Sequence, residues 1–224
     1  MNQALATLFL SVLLVHSSTA ADVAYKYLGR INTTNPAFLK VVKWGNQPEI
    51  LVTSSFGALS SGKVNVIPNI SQIVNEGSFS SAKTIEVSSS FKWPNSVEPV
   101  PAEVFGSDVH ALVVPDGFLV PFKSDGNIYI ITTNPSDPTK ATKVSQISTT
   151  KSGFFYHFGV WVDVNGDGRL DYLTARANSK AGQGEMVWLE HPPTGLDQTP
   201  WTEHFITKGP DCFFELHSIK EYDG

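Results

Sequence analysis

The sequence predicts an all-β fold assembled from repeated units of four antiparallel strands, and three observations carry that prediction. Beyond the first 20 residues, Val, Ile, Thr, Ser and aromatic residues dominate over Ala and Leu, a bias toward strands rather than helices. With 17 Gly and 14 Pro and no collagen-like period, short apolar runs alternate with turn-forming clusters. One strand pattern also recurs three times along the 224 residues.

Residues 1–20 come before that pattern. An apolar run from Leu8 to Val15 leads to small residues at Ser18-Thr19-Ala20, the form of a secretory signal peptide, although no Lys or Arg precedes the run. Cleavage before Ala21 is expected, leaving residues 21–224 as the folded region of a secreted, extracellular protein. The run is short for a transmembrane span, and no later segment reaches the roughly 18 apolar residues one needs. Two acceptor sequons follow, at Asn32-Thr33-Thr34 and Asn69-Ile70-Ser71, so Asn32 and Asn69 are candidate glycosylation sites.

In the first unit, Leu39–Val42 and Glu49–Thr53 read as strands, followed by a polar hairpin at Gly57–Gly62. A third strand, Val64–Ile67, and a fourth, Lys83–Val87, complete it. A helical turn is expected near Ile70–Asn75. The Pro-rich stretch Trp93–Pro101 reads as an insertion. The second unit follows as Ala111–Val114, Phe118–Pro121, Ile128–Ile131 and Lys143–Ile147. The third is Val160–Val162, Asp171–Thr174, Met186–Leu189 and Glu203–Ile206. Four antiparallel strands over about 40–50 residues is the blade of a β-propeller; the alternative is a β-sandwich. Phe213–Leu216 and Glu221–Gly224 resemble the opening of a fourth unit, so the expected form is an incomplete propeller of three blades and part of another. Unpaired flanking strands would favour self-association.

One segment carries chemistry. Asp163-Val164-Asn165-Gly166-Asp167-Gly168-Arg169-Leu170-Asp171 reads D-x-N-x-D-G-x-x-D. Ca²⁺ takes six to eight oxygens, and a glycine-bent loop can gather side-chain oxygens from Asp163, Asn165, Asp167 and Asp171 with the Arg169 carbonyl. Without a cation, three carboxylates so close repel one another. An EF-hand would need a Glu where Thr174 stands, and flanking helices; the flanks here are strand-like. The alternative is a solvated Asp/Asn/Gly hairpin.

At these residues the chain resembles the FG-GAP/VCBS-type repeats of integrin-α-like β-propellers, which place a D-x-[DN]-x-D-G-x-x-D calcium loop between the first two strands of a blade. The resemblance is specific over Phe158–Pro192, extends through Asp211, and is architectural in the first two units, where Trp44–Pro48 and Pro115-Asp116-Gly117 stand in the loop's place. It implies one bound calcium that stabilises a blade, and implies no catalysis.

Other features read as structural. Of the histidines at 16, 110, 157, 191, 204 and 217, none has H-x-H or H-x-x-x-H metal spacing. No serine lies in a G-x-S-x-G context. Trp161, Trp188 and Trp201 are expected in packing between blades, and the single cysteine, Cys212, rules out an intrachain disulfide. A net charge of −5 argues against a nucleic-acid partner. The expected function is therefore non-catalytic: a calcium-stabilised binding or matrix protein that recognises an extracellular protein, polysaccharide or mineral matrix. The competing class is a secreted polysaccharide lyase or hydrolase on the same scaffold.

Overall fold

The structure, a computed structural model, describes residues 26–57, 59–120, 122–178, 184–209 and 214–215. The expected signal peptide, Cys212, His16, His217 and the tail 221–224 lie outside the described residues. Of the suggested fourth-unit strand, only Phe214 and Glu215 are described.

Twelve strands among the described residues build three antiparallel sheets, each taking its strands in chain order. The first holds β1 (Pro36–Val42), β2 (Ile50–Gly57), β3 (Ser60–Ile67) and β4 (Ile85–Phe91). The second holds β5 (Glu98–Pro99), β6 (His110–Pro115), β7 (Ile128–Asn134) and β8 (Asp137–Gln146). The third holds β9 (Phe154–Val162), β10 (Asp171–Asn178), β11 (Gly184–Glu190) and β12 (Thr202–Lys208). These are blade-type sheets, and none closes into a barrel. Short helices interrupt them: α1 (Ile70–Glu76) joins β3 to β4, and α2 (Ala102–Phe105) joins β5 to β6. Helix α1 falls where the helical turn was expected. It buries Ile70 and Ile73 and stops at Gly77, whose φ of 67° suits a residue without a side chain. Among the described residues no helix is long and apolar enough to cross a membrane.

Strand alternation decides how the sheets stack. In β6 all six residues are buried. Leu112 and Val114 turn toward the first sheet, joining Val52, Val64, Val66 and Phe91 in one core. Ala111 and Val113 turn the other way, joining Tyr156, Tyr172 and Leu189 of the third sheet, with Trp201 just before β12, in another. A strand covered on both faces needs a continuous apolar run rather than alternation, and Ala111–Pro115 supplies one. Each fully buried Val, Leu or Ile there contributes about 1.5–3 kcal/mol. Trp201 is a core residue between sheets and Trp161 packs beside it, as expected; Trp188 instead stacks on His204, 4.1 Å between ring centres.

The second sheet differs from its expected outline. Ala111–Val114 is the second strand of its sheet, not the first, and Phe118–Pro121 is not a strand in its described part, Phe118–Val120. The first strand comes from the Pro-rich stretch: Glu98 and Pro99 pair with Val113 and Leu112. Proline has no N–H to give a ladder, so it is tolerated where β5 lies, at the sheet edge. The segment Trp93–Pro101 is therefore part of the sheet rather than an insertion. It follows that Pro115-Asp116-Gly117 does not occupy the position of the acidic loop, because it trails a second strand instead of a first.

Buried polar groups join the sheets where apolar contact ends. The Asn95 backbone N–H donates to the Pro115 carbonyl at 2.9 Å. Its side-chain amide donates to the carbonyls of Gly117, 2.9 Å, and Tyr156, 2.6 Å. Asp116 accepts backbone N–H bonds from Lys92 at 2.9 Å and Asn127 at 2.7 Å, and its own carbonyl accepts from Tyr156 at 3.1 Å. The chain passes close here. A side-chain carbon on Gly126 would lie 2.0 Å from the Asp116 carbonyl oxygen, so only glycine fits.

Candidate functional site

The acidic segment lies between β9 and β10, the first two strands of the third sheet, whose pairing runs up to Val162 opposite Asp171. Gly166 and Gly168 adopt φ of 76° and 85°. A side chain at either would meet nothing within 4 Å, so backbone conformation rather than space calls for glycine.

Asp163 organises the turn. Its Oδ1 accepts from the Gly166 and Asp167 N–H groups at 2.8 and 3.1 Å, and its Oδ2 accepts from Gly168 at 2.8 Å. Asn165 Oδ1 accepts from the Asp167 N–H at 3.1 Å, and Asp167 Oδ1 from Arg169 at 2.9 Å. The backbone therefore wraps around its own side-chain oxygens. Asp171 closes the loop from beneath, fully buried. Its two oxygens accept from Val164 at 3.0 Å and from His191 at 2.9 Å.

Charge is uneven along this loop. Burial raises the Asp171 carboxyl above its ordinary range; the two backbone N–H bonds pull it down, and the charges of Asp167 and Asp163 add to the rise. Asp167 is held low, chiefly by the Arg169 N–H. The Arg169 guanidinium also forms an ion pair with Asp167 Oδ2, while its Nε donates to the His191 carbonyl at 2.9 Å. Arginine thus supplies one positive charge to the acidic turn.

The donor chemistry suits a hard cation. Each carboxylate offers about four lone-pair sites, and the bonds just described use two or three of them. Among the described residues, however, no three His, Cys, Asp or Glu side chains converge as a metal-binding group. The loop gathers the expected residues into one turn, with Asp167 directed at Arg169.

The histidines engage aromatic rings. His110 stacks on Trp44 at 4.8 Å, His191 on Trp201 at 4.9 Å and His157 on Phe118 at 5.4 Å. His204 stacks on Trp188 and places Nε2 2.7 Å from Glu190. Burial lowers the pKa of His110 and His191. The candidate glycosylation residues Asn32 and Asn69 are both exposed.

Two polar features escaped the reading of the sequence. Arg176 is buried and binds Glu185 and Glu203, each at 2.7 Å, and the Tyr156 hydroxyl at 3.2 Å. The alternation of Arg176 with Ala175 and Ala177 on β10 was the available signal. The other is a polar groove on the first sheet. Val52, Val64 and Val66 face the core, so Thr53, Ser55, Lys63, Asn65 and Glu86 share the opposite face. Above Ser55, Lys63, Asn65 and Glu86 lies a groove of about 490 Å³ walled by residues 32–35.

The chain matches no protein-family model, no curated protein and no solved structure.

Proposed function

We propose that this is a secreted, calcium-stabilised extracellular protein that binds a matrix component or a carbohydrate-bearing partner, with no catalytic role. The observation that carries the reading is the D-x-N-x-D-G-x-x-D turn joining the first two strands of a blade-type sheet. Three carboxylates and a carboxamide within nine positions concentrate more negative charge than Arg169 offsets. A divalent cation relieves that surplus, and Asp163, Asn165, Asp167, Asp171 and the Arg169 carbonyl are the groups to hold it. Binding would fasten the β9–β10 hairpin and so stabilise the third sheet. Recognition suits a scaffold whose stacked sheets display strand-connecting loops. The resemblance to FG-GAP/VCBS-type repeats supports the same assignment, as does the apolar run before Ala21 for secretion.

Chelation tests it. At a free calcium concentration ten times the dissociation constant, linkage adds about 1.4 kcal/mol, which for a chain of this size is roughly 3–6 °C in melting temperature. The expected result is a lower melting temperature on adding chelator, with recovery on adding calcium and no response in Asp167→Ala. A melt insensitive to chelator and to calcium overturns the assignment.

A further inference from the structure

We propose that the groove on the outer face of the first sheet is a binding site for a neutral saccharide, an inference that rests on the extracellular binding role and names its ligand class.

The floor of the groove is unusual for a sheet face. Ser55 and Asn65 are 4 and 7% exposed, yet both are polar, and Thr53 on the same face is fully buried beneath the lining. Asn65 stands opposite Thr53 on one side and Glu86 on the other, and Ser55 stands opposite Lys63. These five side chains therefore project from one surface. Asn65 Nδ2 donates to Ser55 Oγ at 3.1 Å, and Lys63 Nζ lies 2.6 Å from Glu86 Oε2. The wall is fixed to the floor, since Thr84 Oγ1 donates to the Asn32 carbonyl at 3.1 Å. Phe56 also lines the groove, and its ring stacks on Trp93 at 4.1 Å. A volume of about 490 Å³ lies within the range of small-molecule sites.

The lining selects among ligand classes. Its two charges, Lys63 and Glu86, cancel, so neither an anion nor a cation finds surplus counter-charge. Phe56 is its single aromatic or aliphatic side chain, too little for an apolar ligand. A peptide strand binds by backbone hydrogen bonds at a sheet edge, whereas β2 and β3 are central strands paired on both sides. What remains is recognition by side chains alone, with donors and acceptors interleaved: amide, hydroxyl, ammonium and carboxylate. Each sugar hydroxyl both donates and accepts, and the apolar face of a pyranose suits the ring of Phe56.

Calorimetric titration with neutral hexasaccharides of glucose, mannose, galactose and N-acetylglucosamine tests this, using glycosylated secreted protein before and after enzymatic removal of N-glycans. The expected result is saturable binding of at least one sugar, weakened about tenfold or more in Glu86→Gln and in Lys63→Gln. Both replaced side chains are partly exposed, so folding is spared. A rise in affinity after glycan removal would identify the chain's own Asn32 glycan as a competing occupant; unchanged affinity would identify an external sugar. Absence of binding, or binding equal in all variants, overturns the groove assignment. Because chelation does not touch Lys63 or Glu86, a calcium-insensitive melt would count against the metal alone, and failure to bind sugar against the groove alone.

Discussion

Asp116 and Asp171 are both completely buried aspartates at strand ends, and each carboxylate accepts two backbone N–H bonds. Burial raises the pKa of both. Their surroundings then differ in sign: Lys92 and Lys123 draw the Asp116 carboxyl back toward ionisation, whereas Asp163 and Asp167 push that of Asp171 further from it. Asp116 therefore has its compensation inside the protein, in a joint where the chain before β5, the second sheet and β9 meet. Asp171 lies among like charges, which the calcium ion proposed above would compensate. Equal burial and equal hydrogen bonding thus serve two ends, and neighbouring charge tells them apart.

The largest test of that comparison removes each carboxylate in turn. Asp116→Ala leaves two buried N–H groups without acceptors at a junction between sheets, and is expected to cost about 3–5 kcal/mol. Asp171→Ala strips acceptors from one hairpin and from His191, and its cost should be smaller. Denaturant titration of both variants checks the order, and equal costs would break the distinction.

Acidity gives the next largest effect. The Asp116 pKa is pushed up to about 6 from 3.8. Between those values the folded chain binds more protons than the unfolded one, so this group's contribution to stability declines as pH rises from 3.8 toward 6, by up to about 3 kcal/mol. Above that window the loss is complete, and below it absent. Carboxylates held low, such as Glu185 and Asp167, act in the opposite direction. The measurable quantity is therefore the difference between the native chain and Asp116→Asn across pH 4–6, where the variant should lack this decline.

The smallest effect concerns Arg169. Its ion pair with Asp167 is partly exposed, and solvent screening leaves such pairs little net effect on stability. Arg169→Ala removes the charged partner of Asp167 Oδ2, leaving it only the Asn165 Nδ2 bond at 3.2 Å, and retains the backbone carbonyl, so calcium affinity should rise by up to about fivefold in titration calorimetry. A fall would mean that the guanidinium orders the loop rather than competing for it.

Much of the fold was legible because it rests on local patterns. The apolar strands Val64–Ile67, Ile128–Ile131 and Met186–Leu189 announce themselves, and the three sheets take their strands in chain order. Strand β5 was hidden because two residues, one of them proline, make no periodic signal; Val113 and Leu112 give it a partner. Strand β8 extends from Asp137, well before the expected Lys143, since its early residues are exposed and carry no alternation. The acidic turn was legible as spacing, because its bonds run within nine positions of chain. The roles of Asp116, Asn95 and the groove were not. Each depends on side chains from separate strands, and an aspartate between proline and glycine looks like any surface turn.

The double-sided burial of β6 also sets the order in which the molecule can come apart. Its neighbours β5 and β7 pair with both of its edges, and two separate cores cover its faces. Water reaches the amides of Leu112, Val113 and Val114 only when a sheet is stripped away, not when a terminus frays. Strands β1 and β12 stand at the opposite extreme. Among the described residues each is paired along one edge and exposes large apolar residues, Val41 in one and Phe205 and Ile206 in the other. Slow amide exchange should therefore concentrate in the middle of the chain and fade toward both flanks, so that partial opening begins at the outer strands while the central sheet persists as the last structured remnant.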